Sequence, residues 1–192
     1  MPPKAKFTRE EITAAALQIV REGGGNALTA RALGERLGSS ARPIFTVFRS
    51  MEEVQGQVRS AARELYNAYV EEALSENEGD VPRFKCVGQQ YIHFAVSEPK
   101  LFQLLFMREQ EKMPDFQNIL PLIETNYEGI LISIEEEYGV DRRLSLRLYQ
   151  HLWIYTHGIA TLCATRMCGF SGEEIGIMLT EVCRSLLSDL RS

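Results

Sequence analysis

Residues 41–49 place polar and apolar side chains on different faces of a helix. Arginine can donate two parallel hydrogen bonds to a guanine edge, and hydroxyl side chains bond bases or phosphates. The apolar seam consists of Ile44, Phe45 and Phe48, and the outward set consists of Ala41, Arg42, Thr46 and Arg49. The stretch is therefore predicted to be a helix that presents hydrogen-bond donors to a DNA groove.

Two helices joined by a tight turn would position this stretch. Thr29 stands where it can cap the first helix, and Gly38 supplies a left-handed stop. Ser40 stands as the cap of the second helix, and Pro43 falls in its first turn, where no backbone N–H is needed. This order predicts a helix-turn-helix, whose second helix enters the major groove.

The charge of the chain is distributed unevenly. A net charge of −5 over 192 residues argues by itself against a nucleic-acid partner. Residues 1–50, however, carry eight Lys and Arg against four Glu, a net charge of +4, and the remaining 142 residues carry −9. Phosphate contact requires a basic surface, so this layout is expected of a DNA-binding regulator. An acidic remainder is also common for solubility alone.

Helix signals recur along the whole chain, and no strand-forming run is present. Capping boxes are predicted at Thr8, Ser50 and Ser171. About nine helices are predicted, over residues 8–22, 29–37, 41–48, 51–74, 80–97, 100–110, 121–138, 141–167 and 172–190. We expect an all-α chain with a three-helix DNA-binding domain at 1–50 and a helical ligand-binding and dimerisation domain at 51–192. Pro121 predicts a kink or a helix start in the seventh helix.

The last two predicted helices are apolar over more than one face, as at Trp153, Ile154 and Tyr155. Such helices must be covered on several sides. A second copy of the chain is the expected cover, which predicts a homodimer with a four-helix interface. The alternative is that these helices form an internal core.

The order of these elements resembles the TetR family of transcriptional regulators over the whole chain, most strongly from Phe7 to Val54. The matching positions are Thr29, Arg31, Ala32, Leu33, Leu37, Gly38, Ser40, Ile44, Phe45, Phe48 and Glu52. The C-terminal part is similar to the subgroup named for Trp, His and Gly, here Trp153, His157 and Gly158. The resemblance implies a dimeric repressor on a palindromic operator, released by a small apolar or aromatic effector.

Three positions depart from the family's pattern. Phe45 and Val47 replace residues that usually bond phosphates, and Met51 replaces the usual Lys. Each lost phosphate contact lowers the salt dependence of binding by a slope of about 0.9. Arg42, Arg49 and the basic arm at Lys4 and Lys6 are expected to compensate.

The predicted contacts divide by role. Arg42 and Thr46 are expected at base edges, and Pro43 and Phe45 at thymine methyls or sugars. Thr29, Ser40 and Arg49 are expected at phosphates, because helix N-termini attract anions. Plain helix capping is the alternative for the two hydroxyls, and a solvated charge is the alternative for the arginines.

A pocket between helices is expected to bind the effector. The candidate ligand-binding residues are Tyr91, Phe102, Phe106, Tyr127, Trp153 and His157. A plain aromatic core is the alternative interpretation.

No catalytic or metal-ligand motif is present, so neither an enzyme nor a cofactor is predicted. The four cysteines are predicted to be buried free thiols, and a cytoplasmic location without a membrane span is expected. Two other functions stay open. One is a helical ligand-binding or interaction protein with weak or no specific DNA binding, and the other is redox sensing through Cys163 or Cys168.

Overall fold

The computed structural model describes residues 6–77, 79, 81–109 and 112–191, and this part of the chain contains nine α-helices and no strand. The helices are α1 (Arg9–Gly23), α2 (Ala30–Arg36), α3 (Met51–Glu76), α4 (Arg83–Ser97), α5 (Pro99–Phe106), α6 (Phe116–Ile123), α7 (Tyr127–Tyr138), α8 (Arg142–Ala164) and α9 (Gly172–Arg191). Two 3-10 helices cover Gly25–Ala27 and Ile44–Thr46. The predicted all-α class is confirmed.

The described residues form two compact units. The first takes its residues from 1–68 and 98–108, and the second from 69–97 and 109–192, so the division falls inside α3. The predicted boundary at residue 50 marks the segment expected to bind DNA, and it stays a prediction. By packing, the first unit also includes the beginning of α3 and the whole of α5.

The core of the first unit forms around α1, which packs against α2 and α5. Ile12 and Val20 of α1 are buried together with Leu33 of α2 and Leu101 of α5. Thr8 begins α1 with the predicted capping box, because its hydroxyl accepts from Glu11 N at 3.1 Å and its own N–H donates to the Glu11 carboxylate at 2.8 Å.

The end of α2 follows the prediction made from Gly38. This glycine is left-handed, with φ +62°. Its N–H donates to the Glu35 carbonyl at 3.0 Å, and the N–H of Ser39 donates to the Gly34 carbonyl at 2.9 Å. These two bonds form the Schellman motif that ends a helix and turns the chain.

The predicted second helix of the motif does not form as an α-helix. Residues 41–48 instead form successive tight turns with one 3-10 helix, Ile44–Thr46. The physical reason lies at Pro43. A cap at Ser40 could accept from the N–H of Arg42 or of residue 43, and Pro43 removes the second of these donors. Pro43 also disfavours the helical conformation at Arg42. The helix-turn-helix is therefore not confirmed.

The second unit is arranged around α8, which contacts α4, α7 and α9. Asp141 caps α8 by accepting from Leu144 N at 2.8 Å, as its position in the sequence indicates. Ser171 and Glu174 form the predicted capping box of α9, with bonds of 2.7 and 3.2 Å. Among the described helices, none is long and apolar enough to cross a membrane.

The boundaries of the seventh and eighth predicted helices differ from the structure. The seventh predicted helix is two helices, α6 and α7, and the chain leaves helical geometry at Glu124 rather than at Pro121. The eighth ends at Ala164 instead of Met167, and Arg166 takes a left-handed φ of 58°. The predicted limits at Asp80 and Gln110 lie outside the described residues.

Candidate functional site

The predicted DNA-contacting side chains lie on the surface of the first unit. Ile44 and Phe48 are 0% and 1% exposed, so they anchor the turns of residues 41–48 to the core. Arg42, Thr46 and Arg49, which were predicted to face outward, are exposed, and so is the predicted cap Ser40. Ala41, which was also predicted to face outward, is half-buried, as is Pro43. Buried Ile44 and Phe48 are therefore separated from the exposed arginines and Thr46 without an α-helix.

Phe45 was predicted to belong to the apolar seam with Ile44 and Phe48, but it does not. Its side chain is 45% exposed, because the turns place it on the outer side beside Thr46. The Thr46 hydroxyl donates to the Pro43 carbonyl at 2.6 Å, which leaves its oxygen able to accept but not to donate. Thr29 caps α2 by accepting from Ala32 N at 3.1 Å, so the capping role that the sequence offered as an alternative is present.

Residues 40–49 carry two cationic side chains, Arg42 and Arg49, and no acidic one. The Lys6 ammonium donates to the Ser39 hydroxyl at 3.2 Å, which brings one residue of the predicted basic arm to the turn after α2. Lys4 lies outside the described residues. Glu53 pairs with the Arg9 guanidinium and accepts from the backbone N–H of Arg49 at 2.7 Å. Its negative charge is therefore compensated beside Arg49.

Gly34 is a positioning residue that the sequence analysis did not identify. A Cβ at this glycine would lie 2.9 Å from the carbonyl carbon of Ser40 and 2.9 Å from the nitrogen of Ala41. The backbone of the turn therefore crosses α2 directly over Gly34, which is buried. The signal in the sequence was a glycine inside a short helix, where it weakens helix propensity and needs a packing reason.

A mainly apolar cavity of about 380 Å³ lies in the second unit. Its walls come from α4, α8 and α9, with contributions from Glu124 and Tyr138. The α8 side chains that line it recur at helical spacing, at Tyr149, Leu152, Trp153 and Thr156. This volume lies within the range of about 300–1,000 Å³ that is typical of small-molecule sites.

Two of the six predicted ligand residues line this cavity, and a third, His157, contacts both of them. Tyr91 and Trp153 line it. The Tyr91 hydroxyl and His157 Nδ1 are 2.8 Å apart, and the Trp153 and His157 rings stack with centroids 5.1 Å apart. Burial lowers the pKa of His157, which favours a neutral imidazole.

The other three predicted ligand residues lie elsewhere. Phe102 and Phe106 belong to the first unit, where their rings pack 5.0 Å apart. Tyr127 lies with its ring 6.2 Å from that of Tyr149, behind the cavity wall rather than in it. The sequence could not separate these aromatic residues, because all of them occupy apolar helical positions.

The sequence analysis also missed two polar features of the cavity. Glu124 lines it with a side chain that is only 8% exposed, and its carboxylate accepts from Asn126 N at 3.2 Å. The Tyr138 hydroxyl and Cys183 Sγ are 3.2 Å apart. Burial is the main reason that the pKa of Tyr149 is well above its usual value, and the charge of Glu124 adds to the effect. A single carboxylate after an apolar run was the available signal for Glu124.

The cysteines differ from the expectation that all four are buried. Cys86 and Cys183 are buried, Cys163 is half-buried and Cys168 is exposed, because α8 ends before Cys168. Burial raises the pKa of the Cys163 thiol, which disfavours the reactive thiolate. Among the described residues, no group of three or more His, Cys, Asp or Glu could hold a metal ion.

Comparisons with known proteins do not add a family to these observations. No protein-family model matches the chain, and no curated protein is significantly similar to it. The resemblance to TetR regulators stays a prediction from the residues quoted above.

Proposed function

We propose that the chain is a dimeric, ligand-responsive DNA-binding regulator of the TetR type, and that it represses transcription from a palindromic operator. The observation that carries the proposal is the exposed, positively charged surface of the first unit. Arg42, Thr46 and Arg49 are all exposed there, and Lys6 reaches the same turn. A surface of this kind suits phosphates and base edges.

In this proposal, Arg42 reads a base edge and Arg49 neutralises a phosphate. Both guanidinium groups extend from turns that Ile44 and Phe48 anchor to the core. Because the backbone of these turns is anchored, only the arginine side chains have to become ordered when DNA binds. Thr29, which caps α2, is a further predicted phosphate contact of this unit.

The cavity of the second unit is proposed to bind the effector. Its walls include α8 and α9, the helices that we also propose to form the dimer interface. A ligand that fits the cavity in only one arrangement of these helices would favour that arrangement of the dimer. The ligand then lowers operator affinity by no more than the ratio of its own affinities for the two arrangements of the dimer.

The proposed homodimer accounts for apolar side chains that the second unit leaves at its surface. Ile154 of α8 and Ile177 of α9 are both about half exposed. Most of the apolar side chains of α9 are only half-buried. A second copy packed on α8 and α9 would bury them in a four-helix interface.

A salt titration of binding to double-stranded DNA from the chain's own promoter region tests the DNA proposal. For Arg49→Ala, which removes one proposed phosphate contact from each protomer of the dimer, we expect weaker binding and a slope of log K against log salt reduced by about 1.8. The matched control is Arg143→Ala, which removes the same charge from an exposed position in the second unit. Equal slopes for the two variants would refute the proposed surface.

A second candidate function is a ligand-binding or interaction protein without specific DNA binding. The observation that favours it is the 3-10 geometry of residues 44–46, where a recognition helix was expected. The same titration separates the two candidates. A regulator prefers its operator over unrelated duplex at physiological salt, and a ligand-binding protein shows no such preference.

A further inference from the structure

Five of the described residues that line the cavity of the second unit carry a hydroxyl group, and three of these hydroxyls are bonded within the protein. The Tyr91 hydroxyl lies 2.8 Å from His157 Nδ1, and the Tyr138 hydroxyl lies 3.2 Å from Cys183 Sγ. The Thr180 hydroxyl donates to a backbone carbonyl of α9 at 2.7 Å. The hydrogen-bonding capacity of these three hydroxyls is therefore at least partly used without a ligand.

Tyr149 and Thr156 carry the other two hydroxyls, and neither makes a hydrogen bond to another described residue. Both residues are more than nine-tenths buried, with exposed fractions of 8% and 7%. Burial raises the pKa of Tyr149 well above its usual value, so its hydroxyl keeps its proton. A buried donor without an acceptor is unfavourable, because it has lost its hydrogen bonds to water. The cavity therefore offers two hydrogen-bond donors to a molecule that occupies it.

The two donors lie on one face of α8, with apolar surface between them. Positions 149 and 156 are seven residues apart, which is close to two helical turns and a rise of about 10 Å along the helix axis. Leu152 and Trp153 line the cavity between them, and Leu179 of α9 also lines it. A ligand that reaches both hydroxyls must therefore be elongated and apolar in its middle.

We propose that the effector is an elongated apolar molecule with an acceptor oxygen, in a phenol, alcohol or carbonyl group, at each end. One oxygen accepts from the Tyr149 hydroxyl and the other from the Thr156 hydroxyl. The apolar body between the two oxygens contacts Leu152 and Trp153. This effector class rests on the proposed function, in which the cavity binds the effector. Glu124 also lines the cavity, and no hydrogen bond joins its carboxylate to either hydroxyl.

Three compounds with the same apolar body test the proposal. Biphenyl, 4-phenylphenol and biphenyl-4,4′-diol carry no oxygen, one oxygen and two oxygens, and equilibrium dialysis against the full chain gives each Kd. A hydroxyl group favours water over an apolar site, so a cavity without polar partners prefers biphenyl. In the unmodified protein we expect the diol to bind at least about tenfold more tightly than biphenyl, with 4-phenylphenol between them.

Tyr149→Phe and Thr156→Val each remove one hydroxyl and nearly keep the shape of the side chain. We expect each of them to lower the preference for the diol over biphenyl about fivefold. The matched controls are Tyr69→Phe and Thr161→Val, which remove hydroxyls from half-buried positions of the second unit that do not line the cavity. In the controls the preference should stay within about twofold. Far-UV circular dichroism shows whether each variant folds.

Thermal melting without ligand gives an independent measurement. Because the Tyr149 hydroxyl has no acceptor in the protein, Tyr149→Phe should melt at or above the Tm of the unmodified chain. A lower Tm would mean that the hydroxyl is already bonded in the free protein, and it would overturn the proposal.

The binding results decide the proposal in the same way. Equal or tighter binding of biphenyl by the unmodified protein overturns it, whether or not the variants fold. A preference for the diol that survives in folded Tyr149→Phe and Thr156→Val, or the failure of all three compounds to bind, also overturns it. Release of DNA by the diol is measured separately. Diol binding without DNA release refutes the proposed regulation and leaves the ligand site in place.

Discussion

Filling the cavity from α4 should stabilise the protein and prevent ligand binding. Gly88 lies on α4 and lines the cavity, and a Cβ at this position would meet no atom within 4 Å. A leucine at position 88 can therefore extend into open space without displacing backbone. The perturbation is Gly88→Leu, compared at the same site with Gly88→Ala.

The expected magnitude has two parts. Replacing glycine with alanine inside a helix stabilises it by about 1 kcal/mol. Leucine adds three carbons beyond alanine, each worth about 0.8 kcal/mol when fully buried. Ordering the leucine side chain opposes this by about 0.5–1 kcal/mol, so Gly88→Leu should exceed Gly88→Ala by about 1–2 kcal/mol. For a chain of this size, that difference raises Tm by roughly 2–8 °C.

Thermal melting with Trp153 fluorescence and circular dichroism measures the difference. Gly158 provides the control pair, because it is exposed on α8 and a Cβ there also meets no atom within 4 Å. At Gly158, leucine should stabilise no more than alanine. If Gly88→Leu melts at or below Gly88→Ala, the space beside α4 is not an apolar cavity.

Two further predictions concern the turn after α2 and the buried histidine. Gly34→Ala should lower the free energy of unfolding by about 2 kcal/mol, because its Cβ would lie 2.9 Å from backbone atoms of the turn; an unchanged Tm would mean that the turn moves freely. Burial lowers the pKa of His157 below its ordinary value of 6.5, so the unfolded chain binds this proton more tightly. The stability from the neutral imidazole is present above pH 6.5 and is lost as pH falls toward the lowered pKa. His157→Gln should therefore flatten the fall of Tm as pH drops below 6.5, and an unaltered slope would contradict the assignment.

Local signals were sufficient to predict many helix ends. Thr8, Gly38 and Asp141 each act through bonds to residues no more than four positions away, and the structure contains those bonds. The prediction of an α-helix over residues 41–48 was wrong for a local reason as well. The sequence analysis treated Pro43 as harmless in the first turn, but Pro43 removes one of the two N–H groups that could bond a cap at Ser40 and disfavours helical geometry at Arg42.

The cavity could not be predicted to the same extent. Its walls combine residues from α4 to α9 that are distant in sequence, and an apolar helix position gives the same pattern whether it faces a core or a cavity. Phe102 and Trp153 illustrate the difficulty, because one is fully buried in the first unit and the other lines the cavity. Only a polar residue that interrupts an apolar run, as Glu124 does, marks such a site in advance.

The two candidate functions differ in what the exposed arginines of the first unit do. Both functions use the cavity, so ligand experiments support either of them. A solvated arginine contributes little to stability, so a protein that only binds ligands loses nothing when Arg42 and Arg49 become alanine. A regulator loses a base contact at Arg42 and one phosphate contact per protomer at Arg49, so the salt slope of the dimer falls by about 1.8. The salt slope of the double variant is therefore the measurement that separates the two functions.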